Sequence, residues 1–236
     1  MLPFFNMEGK KLIKSKSGFR MVAVDETRTS PLFINEPLWT PDKEATNCRR
    51  CSVKFGFTTR KHHCRRCGFI YCNKCSERML DLPRMCFIDP VRICLNCEEE
   101  TKQENRFFQH DLKVLMNGAL FILNNNKSSD LLLHCKLSLD HRTLVFEGSQ
   151  LNPILLDEIT YLCVETDQKS GKSNLEITYT EEGQVEKISF CTTKDIQERQ
   201  AGNEWMKAMK QAFRFTTNKV RCSWDQNSSS SSLLSS

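Results

Sequence analysis

Eight of the thirteen cysteines fall in four Cys-x-x-Cys pairs: Cys48/Cys51, Cys64/Cys67, Cys72/Cys75 and Cys94/Cys97. The gaps between successive pairs are 12, 4 and 18 residues. Each pair supplies two thiolates from one tight turn, and four thiolates complete a tetrahedral zinc site. The four-residue gap is too short for neighbouring pairs to share ions comfortably in sequence order. Interleaving is expected instead, with Cys48, Cys51, Cys72 and Cys75 on one ion and Cys64, Cys67, Cys94 and Cys97 on the other. Both sites are then full, which leaves no position for water and makes the zinc structural rather than catalytic. Cys86 stands outside the pattern and is expected to be a buried free thiol. A disulfide framework is set aside, because framework bridges ordinarily close longer loops than Cys-x-x-Cys allows.

Immediately before the second pair runs Arg60-Lys61-His62-His63-Cys64-Arg65. From Cys48 to Cys97 there are eleven Lys/Arg and three Asp/Glu, a formal +8, so the rest of a chain of net +5 carries 5 − 8 = −3. Eight thiolates and two zinc ions contribute −8 + 4, leaving the loaded module near +4. Part of the basic charge therefore only offsets thiolate, but its clustering at residues 60–66 points to an anionic ligand. A phosphate monoester is close to dianionic and is best held by several charged donors. Arginine offers a planar fork and lysine a point charge.

These motifs resemble the FYVE zinc-finger family over about 60 residues. Trp39-Thr40-Pro41-Asp42 matches its opening motif, Arg60 to Arg65 its basic motif, and Arg92-Ile93-Cys94 its closing Arg-Val-Cys motif with Ile for Val. The resemblance implies two bound Zn2+ and a site for phosphatidylinositol 3-phosphate. Its headgroup residues would be Trp39, Asp42, Arg60, Lys61, His62, His63, Arg65 and Arg92. It also implies that Phe57 and Thr58 form a tip that enters the bilayer, with Phe55 packing inward. Close approach of Asp42 and a histidine to the inositol hydroxyls would exclude further phosphates. The expected role is a peripheral membrane adaptor on endosomes with a link to cell adhesion, not an enzyme. The rivals are a RING-like ubiquitin ligase, which would normally place a histidine among its zinc ligands, and a Rab-effector finger lacking the lipid motif. A nucleic-acid finger is disfavoured because no reading helix lies between the ligands.

The elements that must position these groups divide the chain. Residues 1–37, with Lys10, Lys11, Lys14, Lys16 and Arg20, read as a basic flexible arm with some attraction to anionic lipid. The finger spans 38–98 and a polar, helix-tolerant linker 99–106. From 107 to 217 the hydrophobic period becomes two. Leu133, Cys135, Leu137 and Leu139 alternate with polar residues, as do Ile159, Tyr161 and Cys163, and then Leu175, Ile177 and Tyr179. Glu181-Glu182-Gly183-Gln184 reads as a hairpin turn, and an earlier strand is expected over about 113–123, kinked at Gly118. Trp205, Met206, Met209, Ala212 and Phe213 then form a helical stripe with Gly202 on the same side, capped by Asp195 or Asn203. Strands closed by one amphipathic helix with a buried Trp resemble the pleckstrin-homology superfold, a sandwich with a trailing helix being the alternative. The fold class expected is thus a small cross-brace finger followed by an α+β pleckstrin-homology-like antiparallel barrel capped by a C-terminal helix.

That second half has few basic residues around its first hairpin, Lys113 and Lys127 against Asp130. It is expected to contact an unidentified protein partner rather than a phosphoinositide. No heptads flank the finger, so a monomer is expected. Residues 218–236, with five consecutive serines at 228–232, read as disordered. No secretory leader is recognisable at the start and no apolar run approaches the roughly 20 residues of a spanning helix. Reduced thiols and a cytoplasmic setting are expected.

Overall fold

The computed structural model describes residues 9–124 and 131–217. The chain opens with a hairpin, β1 (Lys10–Ser15) and β2 (Gly18–Ala23), paired from Lys10↔Ala23 to Ser15↔Gly18. This corrects the expected flexible arm from residue 9 on; residues 1–8 of it, like the expected disordered tail at 218–236, lie outside the described residues. The hairpin is not free-standing: β2 lies against residues 86–88 of the finger, through Met21 N–H to Cys86 O at 2.9 Å and Ile88 N–H to Phe19 O at 3.1 Å. Its order comes from that docking, since an isolated two-stranded hairpin is marginal in water. The segment that follows is a staple. Leu32 is buried in the core of the C-terminal half, while Ile34 packs on the core of the finger.

The finger holds two short hairpins, β3 (His62–His63) with β4 (Ile70–Tyr71), and β5 (Arg78–Leu80) with β6 (Val91–Ile93). Its core consists of seven of the pattern cysteines with Tyr71, Leu82, Met85, Phe87, Val91 and Ile93. So little apolar material cannot hold a domain of this size, and metal binding must supply folding free energy.

The linker is a helix, α1 (Glu98–Arg106), which continues through a π-helical turn (Phe107–Asp111) into α2 (Leu112–Asn117). The strand expected from 113 therefore begins only after Gly118, as β7 (Ala119–Leu123). Gly118, at φ 80°, makes the reversal from helix to strand. There follow β8 (Leu131–Leu137), β9 (Thr143–Glu147), β10 (Ile154–Leu155), β11 (Ile159–Thr166), β12 (Ser173–Glu181) and β13 (Gln184–Thr192). All pairs are antiparallel, in the order β10-β9-β8-β7-β13-β12-β11. The four-strand meander and the three-strand meander meet where β13 returns to β7.

One helix, α3 (Ile196–Thr217), closes the sheet, as the amphipathic stripe predicts. The Asp195 carboxylate caps it, accepting from Gln197 and Glu198 N–H at 2.9 and 3.0 Å. Trp205, Met206, Met209 and Ala212 are buried, and the Trp205 indole N–H donates to Leu115 O at 3.2 Å. A Cβ at Gly202 would lie 2.8 Å from Thr192 Cγ2, so helix and sheet meet closest there. One strand differs from its expected face. The register shifts between Ile159 and Tyr161, which turns Tyr161 outward and packs Leu162 and Val164 on the core.

Candidate functional site

The four cysteine pairs come together two by two. The Sγ atoms of Cys48, Cys51, Cys72 and Cys75 form one group, and those of Cys64, Cys67, Cys94 and Cys97 the other; within each, all lie within 4.8 Å of one another. Cys51 and Cys72 Sγ are 3.7 Å apart, Cys67 and Cys94 Sγ 4.0 Å. Tetrahedral zinc with 2.3 Å bonds requires edges of about 3.8 Å, so both sets fit two zinc ions. The expected cross-brace pairing holds. Cys86 is buried and outside both groups, and burial pushes its thiol up to about 11.

Backbone fixed by these clusters carries the basic motif. Cys64 N–H donates to Phe69 O at 3.0 Å, and β3 pairs His62 with Tyr71 and His63 with Ile70. Arg65 N–H donates to Arg92 O at 2.9 Å, which ties the basic motif to β6. Arg65 sends Nη1 to His63 O at 2.8 Å and Nε to Ser17 O at 3.2 Å, with its guanidinium 5.6 Å from the Trp39 ring. Arg92 Nη1 donates to Ser76 O at 2.8 Å and Asn73 Oδ1 at 3.0 Å. The His62 imidazolium is disfavoured by burial first, then by the positive charges of Arg92, Arg65 and Arg60. The charges of three arginines from two motifs are thus felt at one histidine.

The opening motif closes over the same place. His63 Nε2 lies 2.7 Å from Thr40 O and 3.9 Å from Asp42 Oδ1, and its ring is 4.8 Å from the Trp39 ring. Lys61 Nζ donates to Asp42 O at 2.5 Å. Trp39, Asp42, Lys61, His62, His63, Arg65 and Arg92 are therefore linked to one another directly or through these contacts, and Arg60 joins them through its field at His62.

The loop before the motif turns on Gly56 N–H to Thr59 O at 3.1 Å. Phe57 at its tip is 99% exposed and Thr58 beside it is exposed, whereas Phe55 packs on the finger core.

Arg66 follows the motif directly but points the other way. It is buried, with Nη2 2.8 Å from Glu104 Oε1 and 2.7 Å from Glu100 Oε1. Those carboxylates hold its guanidinium protonated against the cost of burial. Arg84 reaches the same Glu104 Oε1 at 2.5 Å and donates Nη2 to Phe215 O of α3 at 2.9 Å. Glu104 is 1% exposed. This cluster joins finger, linker helix and C-terminal helix. Sequence reasoning missed it: one acid within a polar run carries no mark of burial, and its partners are 38 and 20 residues away.

Comparison with known proteins covers both halves. Residues 38–103 match the family model described as FYVE zinc finger. Residues 106–220 match that described as zinc finger FYVE domain-containing protein 21 C-terminus. RUN and FYVE domain-containing protein 2 of Homo sapiens is 39% identical over 89 residues, 38% of this chain and 14% of that protein. RUN and FYVE domain-containing protein 1 of Homo sapiens is 51% identical over 83 residues, 35% of this chain and 11% of that protein. The aligned part is thus a small fraction of these relatives. The LM5-1 FYVE domain from Leishmania major, a solution structure, is 32% identical over 29% of this chain and 81% of its own, with a TM-score of 0.27. By its two matched segments, the chain carries a FYVE zinc finger and, behind it, a segment that matches the C-terminus described for zinc finger FYVE domain-containing protein 21.

Proposed function

We propose that the finger binds phosphatidylinositol 3-phosphate at the surface of endosomal membranes, and that the chain acts there as a peripheral, non-enzymatic adaptor. The observation that carries this reading is the geometry of the basic motif: Arg65 is bonded to His63 O and lies against the Trp39 ring, its N–H is tied to Arg92 O, and His63 and Lys61 both reach Asp42. Like charges gathered on one rim repel one another, and a phosphate monoester relieves that repulsion while accepting charge-assisted hydrogen bonds. Backbone fixed by zinc holds the fork, so little ordering is needed on binding. Asp42 and His63 stand where inositol hydroxyls would be read, Trp39 backs Arg65, and Lys61 adds a point charge. Phe57 and Thr58 enter the bilayer from the exposed tip. Full zinc coordination leaves no open position for metal-assisted chemistry. The pleckstrin-homology-like half offers a surface to a protein partner and keeps the finger in a fixed pose.

Two measurements test the reading. Arg60→Ala should abolish sedimentation with vesicles containing the 3-phosphate while two equivalents of zinc remain bound; lipid binding that survives would remove the proposed site. Phe57→Ala should weaken binding by roughly 1.5 to 3 kcal/mol, the worth of a buried phenylalanine, without changing headgroup preference. An equal loss on vesicles with and without the lipid would support the insertion role, whereas an unchanged affinity would refute it.

A further inference from the structure

The hairpin β1–β2 has two unlike faces. Residues paired directly across an antiparallel ladder share a face. One face carries Ile13 with Arg20 and Ser15 with Gly18; Arg20 and Gly18 on it lie on the finger, while Ile13 is 37% exposed. Arg20 donates Nε to Met85 O at 2.7 Å, stands 3.7 Å from Glu36 and stacks 5.6 Å from the Phe87 ring. A Cβ on Gly18 would meet that ring at 3.3 Å. The opposite face carries Leu12 with Met21 and Lys14 with Phe19. There Leu12 is 55% exposed and Phe19 37%, with the Lys14 ammonium 5.6 Å from the Phe19 ring. Lys16 is exposed in the turn, and the next residue gives its carbonyl to Arg65.

We infer that this outward face, Leu12 and Phe19 flanked by Lys14 and Lys16, is a second membrane contact that reads bulk anionic lipid beside the headgroup fork. Two apolar side chains held in the open between ammonium groups fit the interfacial layer of a bilayer: the ring and the isobutyl group enter the headgroup boundary while the lysines meet lipid phosphate and carboxylate. The partner is a lipid surface rather than an acidic protein because of continuity. The turn that carries Lys16 is bonded to Arg65, a residue of the proposed headgroup site, so one docking event brings both to the same surface. Two weak contacts on one rigid body act together more strongly than either alone. The inference rests on the proposed lipid function of the finger and adds to it a second, headgroup-independent contact.

The test uses the full zinc-loaded chain and four vesicle types: phosphatidylcholine alone, with phosphatidylinositol 3-phosphate, with phosphatidylserine, and with both. The wild type should bind vesicles containing both at least about tenfold more tightly than those with the 3-phosphate alone, the increment vanishing as salt is raised. Lys14→Glu/Lys16→Glu and, separately, Leu12→Ser/Phe19→Ser should lose that increment while keeping the preference for the 3-phosphate over unphosphorylated phosphatidylinositol. These residues are exposed, and two equivalents of bound zinc would confirm an intact finger. If both double variants keep the phosphatidylserine increment, the hairpin contact is wrong and the headgroup reading stands. If the wild type ignores the 3-phosphate yet shows a phosphatidylserine increment that the variants lose, the headgroup reading fails and the hairpin contact stands.

Discussion

His141 sits at φ 59°, buried where residues 30–33 cross the sheet domain. Its carbonyl accepts from Ser30 Oγ at 3.3 Å, and its ring meets the edge of Phe33 at 6.1 Å. Burial, with a smaller push from Lys10 that outweighs the pull of Asp140, lowers its pKa to about 4. The sign of the consequence is fixed by linkage. An unfolded histidine takes up a proton near pH 6.5 while the folded one stays neutral, so stability is whole above 6.5 and drains away as pH falls towards 4. The loss is up to about 3 kcal/mol by the size of that shift. His141→Asn, which tolerates the left-handed backbone, should flatten this part of a urea-midpoint profile against pH; an unchanged profile would place the acid sensitivity elsewhere. At this scale the sequence was readable where motif and geometry coincide: His63 meets Trp39, Thr40 and Asp42, and Arg65 meets His63 and Trp39. It was not readable for Arg66, one position beyond the motif. Nothing in a basic run says which guanidinium turns inward, because the deciding partner, Glu104, is distant in the chain.

Elements were legible where alternation was clean and the residues were buried by the sheet itself, as in β8 and β12. They were misread where a neighbour decides. The run Lys10-Lys11-Leu12-Ile13-Lys14 has no period of two, and β1–β2 forms because the finger covers one side of it. Residues 112–117 look strand-like by their apolar content but lie in a helix whose Leu112 and Leu115 face the core. The switch between those two states falls on Gly118. A Cβ there would stand 2.5 Å from the His134 ring and 2.8 Å from Cys135 O, at a backbone angle that side chains rarely adopt. Gly118→Ala should therefore destabilise the sheet domain by roughly 2 kcal/mol or more, from left-handed strain and overpacking together. Thermal melting followed by Trp205 fluorescence would show it. A melting point within experimental error of the wild type would mean that α2 and β7 can part at no cost.

At the scale of the molecule, two separate cores are held as one body by a small buried ionic cluster. Glu104 stands between Arg66 and Arg84 of the finger, and Arg84 also grips the last turn of α3 through Phe215 O. The Arg84 guanidinium lies 4.5 Å from the Phe215 ring, which in turn meets Phe107 at 4.9 Å. Around it the 30–34 segment puts Leu32 in one core and Ile34 beside the other. Removing one partner of such a cluster leaves the other charges buried and uncompensated, at a cost of about 3 to 5 kcal/mol. Glu104→Ala should therefore do more than lower stability. With Arg84 stranded at the junction and Arg66 left only the exposed Glu100, the halves should lose their fixed pose and their common transition. In the wild type, chelating zinc should unfold the finger and, by breaking this junction, lower the melting point of the Trp205 core. In Glu104→Ala the junction is already broken, so the same chelation should leave the sheet domain's melting point nearly unmoved. If chelation shifts both proteins equally, the coupling does not pass through Glu104. The pose of the C-terminal domain at a membrane would then have to be set by the 30–34 segment alone.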